Sequence, residues 1–209
     1  MNDKIPVIEF RYSWVYDNGF RNAHLKQKKL VNKRTKIHIH KYLEAKEIVI
    51  FKNKIEKNFL RNGKKILERI STVAGLRWKE PKIICYVVGC ARPISDPLTI
   101  GIYSRNNINY FIDTLIHELI HQIQSQNYNK TKKWFDYCYK KYSKETKTTK
   151  NHIFLHAAHY KLLNDYYGQK RLKRNIEKDK KFIDYNRAWE IVQEEGYESI
   201  IKEFRKRLK

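Results

Sequence analysis

Apolar residues recur at helical spacing over much of the chain, as they do in amphipathic helices that pack one face on a core. The pattern predicts a long helix over residues 43–73, broken near Asn62-Gly63. Its apolar stripe consists of Ile48, Phe51, Ile55, Phe59 and Leu60. Further helices are predicted over residues 108–124, 132–142 and 151–167, with a polar linker at 143–150, and two more segments meet near Gly196.

Three short segments have the composition of strands. Residues 7–16 partly alternate and are aromatic, which predicts a strand ending near Asp17-Asn18-Gly19. Residues 83–88 form a continuous β-branched run, typical of a buried strand. Residues 98–103 alternate and predict a strand exposed on one side, after a loop from Pro93 to Pro97. The fold class expected from this order is α+β.

The composition limits the class of protein. A chain of 209 residues with 41% hydrophobic residues can form one core-bearing domain and is neither disordered nor membrane-embedded. No stretch approaches the roughly 18 apolar residues of a membrane span, and no signal peptide is visible. Three cysteines form no disulfide framework, which favours a cytoplasmic location. We therefore expect a single domain over 1–209, with a basic N-terminal segment (1–45), a catalytic core (46–168) and a C-terminal helical extension (169–209).

The charge balance favours anionic partners. Lysine and arginine number 45 against 22 acidic residues, which gives a formal net charge of +23. The basic residues from Arg21 to Lys41 and from Lys170 to Lys181 are the best candidates for phosphate contacts. No nucleic-acid reader module is visible, so such binding would be directed at the backbone and sensitive to salt. The alternative is that this charge only keeps the protein soluble.

The segment His117-Glu118-Leu119-Ile120-His121 carries the clearest chemistry. On a helix, His117 and His121 lie one turn apart on the same face and can share one metal ion. Glu118 projects close to that face, where a carboxylate can take a proton from water activated by the metal. The residue frequencies give roughly 0.02 chance matches to this pattern. We predict His117 and His121 as ligands of one Zn²⁺ per chain, and Glu118 as the general base.

A catalytic zinc site requires a third protein ligand. Candidates lie in the segment Asn151-His152-Ile153-Phe154-Leu155-His156-Ala157-Ala158-His159-Tyr160. Because His152, His156 and His159 follow helical spacing, all three face one way. His152 is the preferred third ligand, and His156 and His159 remain possible ligands or supporting groups. Asp113, one turn before His117, could orient it through a hydrogen bond.

The two segments together resemble the zincin metallopeptidases, whose signature is His-Glu-x-x-His on an active-site helix. The spacing is similar to that of gluzincins, where the third ligand lies on a following helix in a pattern like Asn-Glu-x-x-Ser-Asp. His152 would occupy the ligand position and His156 the place of the supporting Asp, so both acidic residues are replaced by histidine. The metzincin extension is absent, since Gln124 and Asn127 occupy its positions. The resemblance covers about residues 82–160.

The resemblance implies a zincin-like fold: a small sheet, an active-site helix, a ligand-bearing helix after it, and extra helices at both ends. It implies a zinc-dependent endopeptidase, with the strand at 98–103 as the edge that pairs an extended peptide substrate. Tyr160 or His159 would stabilise the oxyanion. The alternative function is a basic nucleic-acid-associated protein with a structural or vestigial zinc site, or a peptidase acting on nucleic-acid-bound substrates.

Overall fold

The computed structural model describes residues 5–34, 42–102 and 107–208, and the side chains of the same residues except 28–34. Within these ranges the chain forms eight helices and a four-stranded mixed sheet, so the predicted α+β class is confirmed. In chain order the elements are β1 (Val7–Arg11), α1 (Trp14–Arg34), α2 (Ala45–Ala74), β2 (Lys82–Val88), β3 (Ile94–Ser95), β4 (Leu98–Gly101), α3 (Ile108–Gln126), α4 (Tyr128–Lys141), α5 (Lys147–Tyr167), α6 (Gln169–Asp179), α7 (Ile183–Glu195) and α8 (Tyr197–Lys206).

Two compact units make up the chain. The sheet unit contains Pro6–Lys64 and Glu80–Glu118, and the helical unit contains mainly Lys65–Lys79 and Leu119–Lys209. The division falls inside α2 and inside α3, so neither limit coincides with the segment boundaries expected near residues 45 and 168. The single-domain organisation stays a prediction.

The sheet has the strand order β1-β2-β4-β3. β2 is parallel to both β1 and β4, and β3 is antiparallel to β4. All four residues of β4 are buried, and Ile94 of β3 lies opposite Thr99 on its outer side. The prediction that this strand is half exposed and forms the edge is therefore wrong. Within the described ranges the edge beside β4 is β3, which arises from the predicted loop because Ser95 folds back to pair with Leu98.

Residues predicted as the end of the first strand form the start of a helix instead. β1 stops at Arg11, and α1 begins at Trp14. The Ser13 carbonyl accepts a hydrogen bond from the Asp17 amide at 2.8 Å, and the Ser13 hydroxyl accepts one from the Tyr16 amide at 3.4 Å. This serine caps the helix, so the chain turns into α1 before it reaches the turn predicted at Asp17.

Asp17 belongs to a buried hydrogen-bond network in the sheet unit, not to an exposed turn. Its side chain is 1% exposed. Its Oδ1 atom accepts hydrogen bonds from the Tyr42 hydroxyl at 2.5 Å and from the Gly89 amide at 2.9 Å. A buried carboxylate is tolerated only when its oxygens are paired in this way. The network therefore ties α1 to the chain before α2 and to the end of β2.

The long helix α2 runs without a break through Gly63, contrary to the break predicted there. A side chain at this position would collide with the ring of Phe59, one turn earlier. Glycine is therefore accounted for by the close approach of that ring and does not interrupt the helix. Four of the five predicted stripe residues are buried, but Leu60 is 80% exposed and does not belong to the packed face.

Helix α5 is central to the helical unit and contacts α4, α6, α7 and α8. Phe154 on α5 stacks on Phe204 of α8, with ring centroids 3.5 Å apart, and Trp134 of α4 packs edge-on against both. All three rings are at most 1% exposed. A helix covered on so many sides can hold polar groups in fixed orientations.

The ends of α5 have local causes. The helix begins at Lys147 because the Thr146 hydroxyl accepts a hydrogen bond from the Thr149 amide at 3.1 Å. The second half of the linker predicted at 143–150 is therefore helical. The helix ends as predicted at Gly168, whose φ of 76° favours glycine, and Gly196 has the same function between α7 and α8.

All three cysteines are free thiols, and Cys85 and Cys138 are buried, as small apolar residues would be. In the part of the chain that the structure describes, no helix has both the length and the apolar character needed to cross a bilayer.

Replacing Tyr42 by phenylalanine tests the buried network. The change removes the hydroxyl that donates to Asp17, and we expect the free energy of unfolding to fall by about 1–3 kcal/mol. Urea denaturation measures the difference. The control is Tyr128→Phe, at a tyrosine that is 59% exposed, where about 0.5 kcal/mol or less is expected. Equal losses in the two variants would contradict the importance of the network.

Candidate metal centre

Helix α3 carries the first predicted ligands. His117 and His121 are four residues apart on a continuous helix from Ile108 to Gln126, so they lie one turn apart on the same face. The helix is apolar and buried on most faces, as predicted, with Leu115 and Leu119 both 0% exposed. The geometry of this pair is therefore set by the helix itself.

Helix α5 carries the third predicted ligand. His152 is 6% exposed, and its Nδ1 atom lies 2.7 Å from the carbonyl oxygen of Thr148. A carbonyl can only accept, so Nδ1 carries the proton and donates it to Thr148. Burial lowers the pKa of His152, which favours the neutral ring. The Nε2 atom of the neutral ring then presents a lone pair, the form in which histidine binds metal.

The structure brings His117, His121 and His152 together. One ligand atom from each histidine lies within 4.8 Å of the others, and the three form the one group of this kind found among the described residues. His121 and His152 both belong to the helical unit, where their ring centroids are 5.0 Å apart in an edge-to-face arrangement. His117 lies one turn earlier on the helix of His121. This cluster could bind a metal ion.

The electrostatics of the cluster suit a cation. Burial lowers the pKa of His121 to about 3, with a smaller contribution from the neighbouring His152. A pKa this far below 7 keeps the imidazole neutral at physiological pH, so a metal ion need not displace a proton. Three histidine nitrogens are the donor set of many catalytic zinc sites, in which water or substrate takes the fourth position. The residues present therefore fit a zinc ion.

Glu118 and Asp113 lie on the same helix and are both buried, at 6% and 1% exposure. Burial raises the pKa of the Cys85 thiol on β2, and the charge of Glu118 adds to the rise. The Glu118 carboxyl is therefore within electrostatic reach of the sheet. Asp113 is one turn before His117, as predicted, and is not an ordinary exposed aspartate.

The other histidines of α5 do not join the cluster. His156 is 0% exposed and stacks on Trp189, with ring centroids 4.2 Å apart and planes at 11°. Burial is also the main cause that lowers its pKa. His159 is 2% exposed and lies farther along, its ring centroid 6.4 Å from that of Trp189. Both histidines pack against α7.

Tyr160, predicted as a possible oxyanion stabiliser, is also placed away from the cluster. It stacks on Tyr197 of α8, with centroids 4.5 Å apart. Eight residues separate it from His152, which corresponds to about 12 Å along the helix axis. The structure does not bring Tyr160 to the three histidines.

A cleft of about 470 Å³ opens beside His121 within the helical unit. Its walls come from the end of α3, from α4 and from the start of α5, and they include Ser125, Tyr128, Phe135, Asp136, Lys147 and Asn151. The lining mixes aromatic rings with one carboxylate and one ammonium group. A concave surface of this kind next to a candidate metal ligand is the usual place for a substrate.

The contacts between α7 and the histidines of α5 have no counterpart in the sequence predictions. Tyr185 of α7 lies against His152, with ring centroids 4.4 Å apart, and Trp189 lies against His156. The sequence did contain a signal for these contacts. Tyr185 and Trp189 are four residues apart, as are His152 and His156, so each pair lies on one face of its helix. The cleft residues gave no such signal.

The basic segments are described only in part. Lys36, Lys41 and the pair His38 and His40 lie outside the described residues, and the side chains of Lys28, Lys29, Lys33 and Arg34 are likewise not described. Arg21 is engaged within the fold, since it donates to the Leu43 carbonyl at 2.8 Å and its guanidinium lies 4.6 Å from the centre of the Tyr42 ring.

No protein-family model, no curated protein and no solved structure matches the chain. The function proposed for this chain therefore rests on the chemistry of the three histidines, of Glu118 and of the adjoining cleft.

The choice of third ligand can be tested by metal content. We expect the purified chain to bind about one zinc, and His152→Ala to weaken binding by roughly 100-fold or more, because it removes one of three donors. His159→Ala should retain the affinity of the unaltered chain. Competition with a chromophoric chelator measures both, and His24→Ala on α1 is the control for loss of any histidine. Undiminished zinc binding by His152→Ala would assign the ligand elsewhere.

Proposed function

We propose that the chain is a zinc-dependent endopeptidase of the zincin type. The observation that carries the proposal is the cluster of His117, His121 and His152 within 4.8 Å, with Glu118 on the same helix. Three imidazoles next to a buried carboxylate are the minimum set for metal-assisted hydrolysis of an amide. A closed structural site would instead hold a fourth protein ligand.

The three imidazoles would hold the ion, and Thr148 would keep His152 in the tautomer that presents Nε2. When bound, zinc acts as a Lewis acid toward a carbonyl oxygen and lowers the pKa of water to about 7. The protein supplies the rest. Burial lowers the pKa of His121 and of His152, which favours the neutral form of both rings.

Glu118 would be the group that moves the proton. Its carboxylate would accept a proton from the attacking water as the new C–O bond forms, and pass it to the leaving nitrogen as the C–N bond breaks. The residue is 6% exposed, and electrostatic interactions are stronger in such an environment than in water. Glu118 directly follows His117 in the chain, so helix α3 positions ligand and base together.

The cleft beside His121 is the candidate substrate site. Its aromatic residues offer apolar surface for side chains of a peptide, and Asn151 and Ser125 offer hydrogen-bonding groups. Neither Asp136 nor Lys147 forms an ion pair with another residue in the described ranges, so each is available to a charged substrate group. This cleft replaces the interior strand β4 as the expected place for a peptide.

Replacing Glu118 by glutamine tests the mechanism. The amide keeps the size of the side chain but cannot accept the proton, so we expect peptide cleavage to fall by about 100-fold to 10,000-fold. Zinc affinity should stay unchanged, because Glu118 is not a ligand. A fluorogenic peptide library gives the rate, and chelator competition gives the affinity. The matched control is Glu80→Gln, at an exposed position outside the site. Full activity in Glu118→Gln would refute the assignment.

A second candidate function is association with nucleic acid. It is favoured by α6, whose Lys170, Lys173 and Arg174 are exposed on the side opposite the buried Leu172 and Asn175. Such a face offers several cations to successive phosphates. The candidate is compatible with a peptidase that acts on nucleic-acid-bound substrates.

Changing Lys170, Lys173 and Arg174 together to alanine tests this face. We expect weaker retention of single-stranded and duplex DNA, and a log–log salt slope that is shallower by roughly 0.7–0.9 for each phosphate that the protein no longer neutralises. Fluorescence anisotropy over a range of salt concentrations measures the slope. The control triple Lys46→Ala, Lys54→Ala and Lys57→Ala removes the same charge from exposed positions of α2. Equal effects of the two triples would show that only net charge matters.

A further inference from the structure

Two pairs of rings face each other across α5 and α7 in the helical unit. His152 and His156 are one turn apart on α5, and Tyr185 and Trp189 are one turn apart on α7. Tyr185 lies against His152 with centroids 4.4 Å apart at 35°, and Trp189 lies against His156 with centroids 4.2 Å apart at 11°. Because the spacing on the two helices matches, each ring of α7 meets one imidazole of α5.

Polar contacts hold the start of α7 against the start of α5. The side-chain carboxylate of Asp184 accepts a hydrogen bond from the Thr146 hydroxyl at 2.8 Å. The backbone carbonyl of Asp184 accepts one from the Thr149 hydroxyl at 3.2 Å. Thr148, whose carbonyl orients His152, lies between these two threonines. The first turn of α5, which orients the His152 ring, is therefore hydrogen-bonded to Asp184, the residue before Tyr185.

The rest of α7, beyond Tyr185, is also held in place by polar contacts. The Trp189 indole donates a hydrogen bond to Asp179 at 3.1 Å, and both residues are buried. Arg187, between Tyr185 and Trp189, pairs with Glu145 at 2.9 Å just before α5. The helix therefore has fixed contacts along the length that faces the two histidines.

We propose that Tyr185 is a positioning residue for His152, the third ligand of the metal centre, and that α7 is part of the site. This inference rests on the proposed metal site. The bond from Nδ1 to Thr148 holds one edge of the ring, and a hydrogen bond by itself does not fix the tilt of the ring plane about its own axis. The ring of Tyr185, 4.4 Å from that of His152 and inclined to it by 35°, restricts that tilt before any metal arrives. A ligand held in place in advance loses less conformational entropy on binding.

A different function for the contact would be packing alone. The two are separable, because packing requires only apolar volume at position 185, whereas positioning requires a flat ring. Tyr185 is half-buried, so its replacement is less disruptive than that of a fully enclosed ring. The chain also contains a matched pair, since Tyr160 stacks on Tyr197 between α5 and α8, away from the metal cluster.

The experiment compares Tyr185→Phe, Tyr185→Leu and Tyr160→Leu in the full chain. Zinc affinity is measured by competition with a chromophoric chelator, and the ligand geometry by the visible spectrum of the cobalt-substituted protein. We expect Tyr185→Phe to match the unaltered chain within about twofold, and Tyr185→Leu to bind zinc roughly 10-fold to 100-fold more weakly with an altered cobalt spectrum. Tyr160→Leu should leave both unchanged.

The inference is overturned if Tyr185→Leu binds zinc as tightly as the unaltered chain, or if Tyr160→Leu weakens binding equally. It is also overturned if Tyr185→Phe is as weak as Tyr185→Leu, because the hydroxyl would then be the active part. Zinc binding without peptide cleavage would overturn only the proposed peptidase activity, and failure of the unaltered chain to bind zinc would overturn both.

Discussion

The contact between His121 and His152 is the interaction on which the candidate metal centre depends. Their rings meet edge to face with centroids 5.0 Å apart, and each ring comes from a different helix. Two charged imidazoles could not be brought so close in a buried place, because desolvation and mutual repulsion would both oppose it. The low pKa of His121 expresses this constraint, and the neutral rings that result are the form that a metal ion needs.

The environment of α5 explains how such a contact is maintained. Thr148 holds one edge of His152, and Tyr185 covers its face. Behind it, His156 is packed flat on Trp189 and is part of the interior of the helical unit. The C-terminal helices, expected to be an extension of a catalytic core, thus contribute directly to the surroundings of the third histidine. The helices that form the interior of the helical unit are therefore also the helices that surround the candidate metal ligand His152.

The same relation between burial and partners appears in the sheet unit. Asp17 is a carboxylate in a predicted turn, yet it is 1% exposed and accepts hydrogen bonds from Tyr42 and Gly89. β4 was expected at an edge, but the Tyr16 hydroxyl bonds to Thr99 at 2.9 Å and β3 pairs along its outer side. In both places local residue preferences indicate exposure, and partners distant in sequence make burial favourable.

Features that depend on local spacing could be predicted from the order of residues. The i, i+4 pair on α3, the position of Glu118 and the shared face of His152 and His156 all follow from 3.6 residues per turn. The helix ends at Gly168 and Gly196 follow from a backbone that favours glycine. The choice of the histidine of α5 that meets α3 required the packed structure, because three candidates share one helix face. The placement of Tyr185 and the cleft beside the cluster required it as well. The four-residue spacing of Tyr185 and Trp189 puts both on one helix face, but it does not tell which other helix that face meets.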